Sequence, residues 1–68
     1  MAEFYKIERT DLVVFIKYNP EDGTMVQLTG NNITMSRGTI FGWQDSSKEE
    51  FDRELQKLTK KLQEYLNK

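Results

Sequence analysis

The sequence predicts an α+β domain: an antiparallel meander of four to five short strands, as a single sheet or a small barrel, followed by one C-terminal amphipathic helix packed on it. Three observations point there. Before Asp45, β-branched and aromatic residues come in short runs broken by Gly, Asn and Pro. After it, 23 residues run without a Gly or a Pro. Within that stretch apolar residues recur at alternating steps of four and three, the spacing of one helical stripe. At 68 residues the chain has the size of one domain, with residues 1–45 as its β part and 46–68 as its helix.

Phe4 to Glu8 reads as the first strand and Leu12 to Tyr18 as the second. Arg9-Thr10-Asp11 between them is either a tight turn or the middle of one long bent strand, and the turn is the preferred reading. Asn19-Pro20-Glu21-Asp22-Gly23 is a reversal, because Pro20 presets φ near −65° at the first corner and Gly23 adopts the left-handed conformation at no steric cost. Met25 to Thr29 follows as the third strand, Gly30-Asn31-Asn32 as a second reversal, and Ile33 to Arg37 as the fourth strand. A fifth, Thr39 to Trp43, comes after Gly38. The helix then starts at Ser46 or Ser47, since both Ser46-Ser47-Lys48-Glu49 and Ser47-Lys48-Glu49-Glu50 match a capping box. Acidic Glu49, Glu50, Asp52 and Glu54 lie early in it and Lys57, Lys60, Lys61 and Lys68 late, as the helix dipole favours.

Composition removes whole classes of chemistry. There is no Cys and no His, so thiol nucleophiles, Cys/His zinc sites, disulfides and an imidazole base are all excluded. Gly38 and Gly42 have the wrong spacing for a dinucleotide fingerprint, and no glycine precedes a lysine as a phosphate loop requires. The carboxylates of Glu49, Glu50 and Asp52 are accounted for by an exposed first helical turn, and Glu21-Asp22 by a hairpin tip without the further ligands of a calcium loop. No catalytic residue, metal or cofactor is expected, and so no enzyme and no small-molecule substrate. The charged N-terminus lacks the apolar core of a secretion signal, and the run Leu12 to Ile16 is far shorter than the ~20 residues of a membrane span. A cytoplasmic protein without membrane contact is the default expectation.

Alternation along the second strand puts Leu12, Val14, Ile16 and Tyr18 on one face and Val13, Phe15 and Lys17 on the other. The helix is expected to cover the first of these faces, together with Val26, Leu28, Ile33, Met35, Phe41 and Trp43. Val13 and Phe15 are then left over as a contact surface. With Ile40 and Trp43 they form the expected anchors of a non-enzymatic interaction module, an inhibitor or adaptor that covers a surface of a larger protein partner. The alternative is a single-stranded nucleic-acid binder that uses Phe15, Lys17 and Arg37 as a stacking platform. Four basic against six acidic residues in 1–45 leave that half at −2, which opposes phosphate binding. Separately, a homodimer is expected along the stripe Phe51, Leu55, Leu58, Leu62 and Tyr65, whose spacing matches a coiled-coil seam. A core this small gains from self-association.

Overall fold

The structure is a computed structural model and describes residues 2–38 and 42–67. Among the described residues five antiparallel strands form one open sheet: β1 Glu3–Arg9, β2 Leu12–Tyr18, β3 Thr24–Leu28, β4 Ile33–Arg37 and β5 Gln44–Asp45, in the order β4-β3-β2-β1-β5. A single helix, α1 Lys48–Leu66, packs on it. The sheet does not close into a barrel, because β4 and β5 lie at opposite edges.

The turns carry the chemistry that their residues suggested. Arg9 faces Leu12 across a two-residue turn, Thr10-Asp11, so β1 and β2 are separate strands. In the next hairpin the Asn19 side chain accepts from the Glu21 amide at 3.0 Å, and the Gly23 amide donates to the Asn19 carbonyl at 2.9 Å. Gly23 has φ 74°, which a residue with a Cβ adopts only at a cost.

The fifth strand differs from expectation in place and partner. Where Thr39 to Trp43 was expected, the described part, Gly42 and Trp43, is not in a strand; β5 is Gln44–Asp45, and it pairs with β1 on the far edge, Tyr5 opposite Asp45 and Lys6 opposite Gln44. Residues 39–41, with Ile40 and Phe41, lie outside the described residues. Gly42 at φ 69° turns the chain just before β5.

The helix covers the opposite face from the one expected. Phe15 pairs with Leu28 and Lys17 with Val26, so Val26 and Leu28 stand on the face of Phe15 and not on that of Ile16. Phe4, opposite Lys17, joins the same side. There Leu28, Phe51 and Leu58 are buried, flanked by Phe4, Phe15, Val26 and Leu55. The other face holds a second cluster, Val14, Ile16 and Met25, flanked by Tyr5, Ile7, Tyr18 and Trp43. β2 is apolar on both sides, so alternation alone does not choose between them. Hairpin register does, and a one-residue slip exchanges the faces.

Candidate protein-interaction surface

Ser47 is the residue that starts the helix. Its hydroxyl accepts from the Glu50 amide at 3.1 Å, while the Ser46 amide donates to the Phe4 carbonyl at 3.0 Å and ties the approach to β1. From this anchored end α1 runs over β2 and β3 with Phe51 and Leu58 buried and Leu55 half-buried. The expected dimer stripe is thereby divided, since its first three members are sheet-packing residues.

Beyond Leu58 the stripe emerges. Leu62 is 54% exposed, Tyr65 74% and Leu66 70%. The reason is length: 19 residues at 1.5 Å each span about 28 Å, while a strand of β3's 5 residues spans about 17 Å. The helix runs out of sheet before it runs out of apolar residues. A groove of about 250 Å³ opens there, lined by Asn31, Leu58, Lys61, Leu62 and Tyr65. Lys57, Lys60 and Lys61 are exposed on the same half of the helix.

The register places two further apolar residues at that end of the same face. Val13, 40% exposed, lies one alternation beyond Phe15, and Ile33, 53% exposed, pairs with Leu28. Ile33 and its β4 neighbour Met35 were expected in the core. Both are on the helix face but at the sheet edge, beside the strands over which the helix packs, and so remain exposed.

The remaining expected anchors are placed differently. Phe15 sits half-buried against the helix-side cluster and so belongs to the core, because its face is the covered one. Trp43 is half-buried on the other face against Tyr5, with ring centroids 6.3 Å apart. Lys17 and Arg37 are exposed on the helix face. The ring of Phe15, packed under the helix, does not join them as an open stacking platform. Lys17 instead lines a second, open cleft of about 410 Å³ with Ala2, Asn19, Thr24, Val26 and Met35.

Two other lysines, Lys6 and Lys48, are held in ion pairs. The Lys6 ammonium lies 3.0 Å from Glu8 and 3.6 Å from Glu50, and Lys48 2.7 Å from Asp52. The Glu8 hydrogen bond, with the Glu50 and Glu8 charges, raises the Lys6 pKa above its ordinary value, and the bond to Asp52 does the same for Lys48. The Glu3 carboxylate, accepting from the Tyr5 hydroxyl at 2.8 Å, raises that phenol's pKa. Among the described residues no helix is long and apolar enough to cross a membrane. No family model, curated protein or solved structure matches this chain.

The sequence placed Ile33 and Met35 in the core, and did not show where the stripe ending in Tyr65 or Leu66 emerges from the sheet. A signal was present in the helix length, because a stripe longer than the strands beneath it must leave its end uncovered.

Proposed function

We propose that this chain is a small non-enzymatic protein-interaction module, an inhibitor or adaptor that covers a surface of a larger protein partner. The observation that carries this reading is the uncovered apolar end of α1, where Leu62, Tyr65 and Leu66 are exposed and Leu62 and Tyr65 line a groove with Asn31 and Lys61. Isolated exposed apolar residues are ordinary, but a cluster of large ones bordered by lysines has the composition of a binding patch, with Tyr a frequent anchor. Lys57, Lys60 and Lys61 suit a partner whose rim is acidic.

The test is affinity capture from native lysate, with and without nuclease, comparing the wild-type chain with a Leu62→Ser/Tyr65→Ala variant. One polypeptide retained through nuclease treatment by the wild type and lost by the variant supports the reading. Capture that is indifferent to the variant removes the helix end from the contact. Recovery that depends on nucleic acid replaces the reading with the nucleic-acid one.

A further inference from the structure

The two edges of the sheet are unequal. β5 is 2 residues long, too short to template another strand, whereas β4 offers 5 residues with no proline and Arg37 as its only charge. The hydrogen-bond pattern shows which of its backbone groups are free. At one end of the β3–β4 ladder Thr29 donates to Asn32, and at the other Gly38 donates to Gly23. In an antiparallel ladder bonded and non-bonded pairs alternate, so Gln27/Thr34 and Met25/Ser36 exchange bonds. The N–H and C=O groups of Ile33, Met35 and Arg37 therefore point away from β3. Among the described residues no strand receives them.

The same residues carry the exposed side chains of the helix face, Ile33 and Met35. From this coincidence we infer that β4 pairs antiparallel with the β4 of a second copy of this chain, about a two-fold axis through Met35. In that register Met35 faces its own counterpart, Ile33 faces Arg37 and Thr34 faces Ser36. Every outward N–H meets an outward C=O, and no like charges stand opposite one another, because the single cation of each strand meets an aliphatic residue of the other. A net charge of −1 adds almost no repulsion between copies. The contact is small beside the roughly 1,200 Å² of a standard interface, so its affinity belongs in the micromolar range. The axis stands perpendicular to the sheet, so both helices lie on one side of a continuous ten-stranded sheet. The two exposed helix ends remain open for a larger partner.

Sedimentation velocity on the full chain, from about 5 µM to about 500 µM, spans that affinity range. The expected result is a mass that rises from 8.1 kDa toward twice that value. Met35→Pro removes one outward N–H while leaving the inner ladder intact, and Met35→Arg sets two cations against each other on the axis. Each is expected to hold the chain monomeric with an unchanged circular dichroism spectrum. Met35→Cys supplies an independent readout: in a hydrogen-bonded pair the two β-carbons stand about 5.5 Å apart, within reach of a short thiol–thiol cross-linker, which yields a covalent dimer. Thr34→Cys, out of register and on the other face, is expected to cross-link far more slowly. A wild-type monomer throughout the range overturns the inference. So does a dimer that survives both Met35→Pro and Met35→Arg, including one abolished instead by Leu62→Lys. Loss of partner capture by Leu62→Ser/Tyr65→Ala in a chain that still dimerises separates this interface from the proposed partner surface.

Discussion

Phe4 and Phe51 meet with ring centroids 5.7 Å apart and planes tilted by 56°, which joins the first strand to the first turn of the helix. The Ser46 amide bonded to the Phe4 carbonyl holds the same residue through its backbone. Phe51 is buried, so Phe51→Ala is expected to cost about 3–5 kcal/mol, close to the whole stability of so small a domain. Urea denaturation followed by circular dichroism measures it; a midpoint near that of the wild type would show that the helix does not depend on this contact.

The two serines before the helix are expected to behave oppositely. Ser47→Ala removes the cap of the Glu50 amide and is expected to cost about 1 kcal/mol. The Ser46 hydroxyl is buried without a hydrogen-bond partner among the described residues, so Ser46→Ala is expected to be neutral or stabilising. Thermal midpoints of the two variants decide the point, and a larger loss at Ser46 would move the cap.

Phe15→Ala and Leu62→Ser are expected to separate folding from binding. Phe15 packs in the helix-side cluster, so its truncation is expected to lower stability by about 3 kcal/mol. Leu62→Ser is expected to change stability by no more than about 0.5 kcal/mol, because the residue is largely exposed. If Leu62 anchors the partner, calorimetric titration with the captured polypeptide shows a loss of about 2 kcal/mol or more.

Acid is expected to act on the β2–β3 hairpin. Asp22 accepts from both the hydroxyl and the amide of Thr24, the latter at 2.9 Å, and these bonds hold its carboxyl below its ordinary pKa of 3.8. A lowered folded-state pKa gives stability that is present above 3.8 and lost as pH falls through the lower folded value. The gap in thermal midpoint between wild type and Asp22→Asn is therefore expected at neutral pH and to close on acidification below that range. Lys6 has the opposite sign: its raised pKa gives a contribution present below 10.5 and lost only at higher pH. A gap for Asp22→Asn that widens in acid would contradict the hydrogen-bond assignment.

Much of the fold was legible because local chemistry and tertiary structure agree. Pro20 and Gly23 mark a hairpin that forms as read, and the absence of Gly and Pro after Asp45 marks a helix that extends to Leu66. Legibility stopped where a choice depends on register. Val14 and Ile16 on one side of β2 and Val13 and Phe15 on the other are equally apolar, and pairing with Leu28 selects the side that the helix covers. β5 was not legible for a related reason. An edge strand of 2 residues has almost no pattern of its own and exists because β1 receives it. The candidate surface was half legible: the stripe through Leu62 and Tyr65 was visible, but where the sheet beneath it ends is a three-dimensional fact.

The position of β1 between β2 and β5 has a kinetic consequence. Three of the four strand pairings close short hairpins, which form on the microsecond scale. The fourth joins Tyr5 to Asp45 across 40 residues, and only then can Phe51 reach Phe4. The rate of folding should therefore be set by the docking of residues 44–51 onto a preformed meander, and unfolding should begin by its reversal. Amide hydrogens of β5 and the first helical turn would then exchange before those of β2 and β3.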